Sequence, residues 1–139
     1  MFLGAPQLKG SQMDSTIKLL RINGHRDTRS SVGTDYNTVT FADIAAMADC
    51  PAAVSKLEAP AFVASIYVSS DARSHEVQRQ HGQFHAFVVD VDENGPTLEA
   101  VDAALTAVFG SCARIIYSTS SASAEAPKWR AIVPFLTPI

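Results

Sequence analysis

Phe84-His85-Ala86-Phe87-Val88-Val89-Asp90-Val91-Asp92-Glu93-Asn94-Gly95-Pro96 is the stretch around which this 139-residue chain is organised. Its first half is a β-branched and aromatic run, the composition of a strand able to be buried on both faces. Its second half carries two carboxylates at i and i+2, then an acidic turn closed by Asn-Gly-Pro. Strand side chains alternate faces, so Asp90 and Asp92 are expected on the same side of a sheet. Two carboxylates on one face offer hard oxygen ligands to Mg or Mn and leave room for substrate phosphates. A strand that ends in solvated turn residues has the same local composition, so the downstream sequence has to decide between the two.

Downstream, Thr97 is a good N-cap, and residues 98–110 place Leu98, Val101, Leu105 and Val108 at helical spacing before Gly110, a natural helix terminator. Residues 113–119 read as another strand. Strand, helix and strand in succession form a βαβ unit, normally right-handed with parallel strands. Both strands then end at one edge, which is expected to bring Asp90 and Asp92 beside Ser118, Thr119 and Ser120. Ligands of open α/β sheets bind at such carboxyl edges. After a loop of small residues (120–127), residues 128–135 read as a strand antiparallel to the one before. Lys128 and Arg130 share one face, and Trp129, Ala131, Val133 and Phe135 share the other. Trp129 is expected in the core rather than as a base-stacking platform.

Upstream, residues 1–15 read as a loose arm and residues 16–22 as a short strand. The polar segment 23–37 reads as a long loop, with Arg21, Arg26 and Arg29 as a sparse, solvated basic group. Thr40-Phe41-Ala42-Asp43 resembles a capping box with Asp in the usual Glu or Gln position. Behind it Phe41, Ile44, Ala45, Met47 and Ala48 form an apolar helical face that Pro51 ends. Residues 61–68 read as a strand, and 69–82 as a polar loop with room for one helical turn. His81 and His85 have the i, i+4 spacing of zinc ligands on a helix. Gly82 interrupts them, and His85 belongs to the strand on the face away from Asp90, so zinc is not the expected metal.

The bulk composition sets broad limits. Hydrophobic residues make up 47% and charged residues 18%, enough to build one buried core. A net charge of −3 does not advertise a nucleic-acid surface, although a local patch would escape this measure. Cys50 and Cys112 fit neither a disulfide framework nor a metal spacing, and they point to a reducing, cytoplasmic setting. No apolar run approaches a membrane span, and the first residues are too short and broken for a signal peptide. One domain, 1–139, is expected.

The ordered series Phe87-Val88-Val89-Asp90-Val91-Asp92, Ile116-Tyr117-Ser118-Thr119-Ser120-Ser121 and Pro127-Lys128-Trp129-Arg130-Ala131-Ile132-Val133-Pro134 resembles the archaeo-eukaryotic primase superfamily. It is most similar to the primase-polymerase domains of phage, prophage and plasmid replication proteins. The resemblance covers residues 58–139, more loosely at its start. It implies an α+β fold: an RRM-like βαβ plus antiparallel-strand sheet with an N-terminal α/β unit. It implies DNA primase/polymerase activity, in which nucleotides are joined on a DNA template by metal-dependent nucleotidyl transfer. Asp90 and Asp92 would be the catalytic metal ligands for Mg or Mn. Ser118, Ser120, Lys128 and Arg130 would bind the nucleoside triphosphate. A replicative helicase and a second copy of the chain are the implied partners, and no membrane is.

Two departures leave a second reading open. The family's second motif, s-x-H, ends in a histidine that contacts phosphates, and this chain has Ser120 there. A serine hydroxyl hydrogen-bonds a phosphate but carries no positive charge. The third motif, a further carboxylate on a later strand, is expected beyond Ile139, so the domain is expected to be incomplete at its C-terminus. Two metals about 4 Å apart generally need three carboxylates or more. The alternative is a non-catalytic nucleotide- or nucleic-acid-binding module derived from the same fold, or a plain βαβ domain with a solvated acidic edge.

Overall fold

The computed structural model describes residues 18–22, 36–51, 54, 59, 61–66 and 75–139. In chain order the elements are β1 (Lys18–Ile22), β2 (Tyr36–Thr40), α1 (Phe41–Asp49), β3 (Ala61–Val63), β4 (Ser65–Ile66), α2 (His75–His81), β5 (Gln83–Phe84), β6 (Ala86–Val91), α3 (Leu98–Phe109), β7 (Ile115–Ser118) and β8 (Trp129–Pro134). Helices and antiparallel strands are mixed, as an α+β chain requires. The loose arm expected at 1–15, Arg26 and Arg29 lie outside the described residues. Among the described residues, no helix is long and apolar enough to cross a membrane.

Among the described residues the strands form three sheets, ordered β2-β1-β3, β4-β5 and β6-β8-β7. In the third, β8 runs antiparallel to both neighbours, so β6 and β7 are parallel to each other with β8 between them. This is a split βαβ: α3 carries the chain from one outer strand to the other, and the next strand fills the gap. The expected parallel relation of β6 and β7 holds, but they are not adjacent.

Side-chain alternation then sorts the third sheet into two faces. Val88, Ile132 and Ile115 stand on one rung, and Asp90, Arg130 and Tyr117 on the next rung of the same face. The apolar rung packs in a core with Val39, Phe41, Ile44, Ala45 and Ala86, so α1 covers this end of the face. On the opposite face Ala131 and Val133, flanked by Val89, Val91, Ile116 and Trp129, pack on Val101 and Leu105 of α3. Alternation across three short strands thus divides the apolar residues between two cores.

Both main helices follow from local signals. At α1 the hydroxyl of Thr40 accepts from the Asp43 N–H at 3.1 Å, and Asp43 Oδ2 accepts from the Thr40 N–H at 2.8 Å. These bonds satisfy backbone donors that a helix start leaves unpaired. They also hold the Asp43 carboxyl below the usual carboxylate range. A depressed folded-state pKa contributes stability above the unfolded value and loses it as pH falls through the folded value. Asp43→Asn should therefore melt below the wild-type protein at neutral pH, with the gap closing in acid below about pH 4. A gap independent of pH would remove the charge from the account. At α3, Thr97 accepts from the Ala100 N–H at 3.2 Å, and Gly110 ends the helix at φ +69°. Arg114 then ties the end of α3 to the start of β7. Its guanidinium donates to Asp102 Oδ1 and Thr106 Oγ1, both at 2.7 Å.

Several expectations are corrected. Residues 36–40 form β2, which begins inside the segment 23–37 read as a loop and pairs along its length with β1. The strand expected over 61–68 breaks at Ala64: β3 pairs with β1, whereas β4 pairs with β5. Residues 75–81 make the seven-residue α2 rather than one helical turn. The long strand from Phe84 divides at His85, where the backbone turns between sheets. His85 N–H donates to Ala64 O at 2.8 Å, and His85 O accepts from Phe135 N–H at 2.9 Å. Phe87 is 39% exposed rather than buried, its ring tilted against Phe109 at 5.2 Å. On α3, Val108 is 74% exposed, and Phe109, one turn beyond Leu105, packs in its place.

Candidate functional site

The carboxyl end of β6 carries the two aspartates. Asp90 is the second-last residue of the strand, and Asp92 follows it, exposed, in the turn. Strand alternation directs Asp90 to the face that α1 covers farther back, not the α3 face. The turn beyond folds tightly: Asn94 (φ +63°) and Gly95 (φ +50°) are both left-handed. A Cβ added at Gly95 would come within 3.2 Å of Pro127 Cδ, so glycine is needed there for close approach as well as conformation. Trp129 Nε1 donates to Pro96 O at 2.8 Å. The acidic turn is therefore fastened to the start of β8. Trp129 is half-buried and packs against the α3-side core, as expected.

The neighbour of Asp90 is Arg130. The two residues are register partners on β6 and β8, and the guanidinium grips the carboxylate with two donors. Arg130 Nε bonds Asp90 Oδ1, and Arg130 Nη2 bonds Oδ2 at 2.9 Å. Side-chain exposure is 30% for Arg130 and 45% for Asp90, so solvent screens the pair. A half-exposed ion pair contributes on the order of 1 kcal/mol or less, and fork-to-fork geometry places it toward the upper end. Arg130 is held firmly protonated, chiefly by this bond to Asp90 and against its partial burial. On its other side stands Tyr117. Burial pushes the Tyr117 phenol up, while the adjacent Arg130 charge pulls it back down. The rung sets Asp90, Arg130 and Tyr117 in line.

Of the expected gathering of Asp90 and Asp92 beside Ser118, Thr119 and Ser120, the approach of Ser118 to Asp90 is not formed. Ser118 lies on β7 with β8 between it and β6, and it shares a rung with Trp129 and Val91 on the α3 face. Two strand spacings, about 10 Å, and the thickness of the sheet separate it from Asp90. Ser120 is exposed in the turn after β7. Thr119 pairs its N–H with Lys128 O at 3.1 Å, closing the loop that carries Ser120. Lys128 immediately precedes β8 and is half-buried. Arg130 is the one basic residue of the expected set that the fold sets directly against an aspartate. Tyr117 entered the sequence reading only as part of a motif, and its site position follows from cross-strand register with Arg130.

Asp90 and Asp92 present carboxylate oxygens at the exposed end of one strand, the ligand type that Mg and Mn take. Among the described residues, no group of three or more His, Cys, Asp or Glu side chains converges. Two carboxylates suit one cation rather than two, and Asp90 already has both oxygens engaged by Arg130. No protein family, curated protein or solved structure matches this chain.

Proposed function

We propose that this chain is a primase-polymerase-type domain that binds a nucleoside triphosphate at the carboxyl ends of β6 and β7 and carries out metal-dependent nucleotidyl transfer on a DNA template. The carrying observation is the split βαβ of β6, α3, β7 and β8, with the D-x-D at the exposed end of its first strand and a basic residue beside it. That strand order, with the third strand between the first two, supports an RRM-like reading of the sheet, with the N-terminal strands and α1 as its companion unit. Asp90 and Asp92 would hold Mg or Mn, which when bound supplies Lewis-acid stabilisation of charge on the phosphoryl oxygens. Arg130 offers a planar fork that matches phosphate, and Lys128 adds a point charge near it. Ser120 offers a hydroxyl from the turn after β7. Phage or mobile-element replication in the cytoplasm, a replicative helicase partner and self-association belong to the same proposal.

The bidentate hold of Arg130 on Asp90 favours a second reading. A carboxylate neutralised within the protein suits a binding module that keeps the sheet without the chemistry, and Ser120 in the histidine position agrees with it. Calorimetric titration of ATP with Mn into the protein, repeated on Asp90→Ala/Asp92→Ala, tests the site. Metal-dependent binding with at least tenfold loss in the double variant is expected, followed by primer synthesis on a single-stranded template. Binding indifferent to both aspartates sinks the metal site. Metal-dependent binding without any primer synthesis gives the lead to the module.

A further inference from the structure

The Asp90–Arg130 pair has a consequence for how two ligands would bind. Arg130 uses both oxygens of Asp90, through Nε to Oδ1 and Nη2 to Oδ2. A divalent cation also needs a lone pair on one of those oxygens, at about 2.0–2.1 Å for Mg. A guanidinium and a dication on one carboxylate repel each other at a few ångströms, even with the partial solvent screening of this half-exposed pair. Asp90 therefore serves one of the two well, not both. Arg130 has another class of ligand suited to its fork, the oxygens of a phosphate. Its rung neighbour Tyr117, half-buried and paired in register, keeps a polar partner at β8 after Asp90 lets go.

We infer that Arg130 and a divalent cation compete for Asp90, and that a triphosphate, by taking the guanidinium, makes its own binding and that of the cation mutually supportive. This rests on the metal and nucleotide site proposed above. The coupling is reciprocal by thermodynamic necessity: whatever factor the triphosphate lends to the cation, the cation lends to the triphosphate. The same pair keeps the carboxylate neutralised while no nucleotide is present, and it disfavours a cation bound without substrate.

The test takes each ligand alone and removes its competitor. Mn is titrated calorimetrically, without nucleotide, into the wild-type chain and Arg130→Gln. ATP is titrated in EDTA into the wild-type chain and Asp90→Asn. Mn is expected to bind Arg130→Gln about five- to tenfold more tightly, and metal-free ATP to bind Asp90→Asn about fivefold more tightly, the scale of one bidentate ion pair. Lys128→Gln removes the same charge two residues earlier and should tighten Mn less than about twofold, because Arg130 and not Lys128 is the register partner of Asp90. Thermal melts establish folding of each variant. Should Arg130→Gln fail to fold, Arg130→Lys keeps the charge without the fork and is expected to tighten Mn by an intermediate factor. Equal or weaker Mn binding without Arg130, or as large a gain from Lys128→Gln, overturns the competition while leaving an Asp90-dependent site in place. Equal or weaker metal-free ATP binding by Asp90→Asn does the same. Neither ligand binding any of the proteins removes the site itself and the inference with it.

Discussion

Ile132→Ala is expected to lower the unfolding free energy by about 3 kcal/mol, within the range for truncating a fully buried aliphatic side chain. Ile132 is wholly inaccessible and lies on β8, the central strand of the β6-β8-β7 sheet. It stands between Val88 and Ile115 on its own rung and packs in the core that includes Phe41 and Ile44 of α1. Truncation removes three methyl or methylene groups from the junction of the N-terminal helix and the sheet. Neighbours on both flanking strands are fixed by backbone pairing, so the cavity collapses only in part. A melting temperature lower by roughly 10 °C follows from the usual entropy of unfolding for a chain of this size. Val108→Ala is the internal comparison: at 74% exposure it should change stability by no more than about 0.5 kcal/mol. Denaturant titration of both variants checks the pair, and a loss under about 1 kcal/mol at Ile132 would contradict its place at the junction.

Trp129→Ala is expected to cost about 3 kcal/mol and to release the acidic turn. The indole contributes apolar area to the core under α3, and its Nε1 bond to Pro96 O ties residues 92–96 to β8. The two contributions separate with Trp129→Phe, which keeps an aromatic ring and loses the bond, at a cost of about 1 kcal/mol. The functional consequence follows from position. Asp92 is in the turn that the bond fastens, whereas Asp90 is in a paired strand. Trp129→Phe should therefore weaken Mn-dependent ATP binding by a few-fold, with much smaller loss of stability than Trp129→Ala. Trp129 is also the single tryptophan of the chain, so its fluorescence reports on this turn directly. Unchanged binding in Trp129→Phe would show that the turn keeps its shape without the indole bond.

Much of the local structure was legible because its causes are local. The Thr40–Asp43 box and the Thr97 cap each set a helix start from residues within one turn, and Gly110 ends α3. The strands from Ala86, Ile115 and Trp129 were legible from β-branched content, and parity correctly separated Trp129 from Arg130. β2 escaped because Tyr36-Asn37-Thr38-Val39-Thr40 is mostly polar without a clear alternation and is made a strand by its partner β1. The break at Ala64 escaped because nothing in an apolar run marks where it changes sheets. Phe109 replaced Val108 on the buried face of α3 because both fall near the stripe at helical spacing. The larger side chain meets the Phe87 ring that β6 brings across the sheet edge.

The sequence by itself determined the starts of α1 and α3, the strands from Ala86, Ile115 and Trp129, and how the side chains of those strands alternate between faces, because caps, periodicity and alternation act over a few residues. The tertiary structure alone decided that β8 lies between β6 and β7. Every strand edge offers the same N–H and C=O groups, so the choice of partner is made by how whole faces are buried and not by any local pattern. That choice moved Ser118 to the far face and set Arg130 against Asp90, forty residues away along the chain. The aspartates were visible in the sequence. The cation that holds one of them became visible only when the strand order was known.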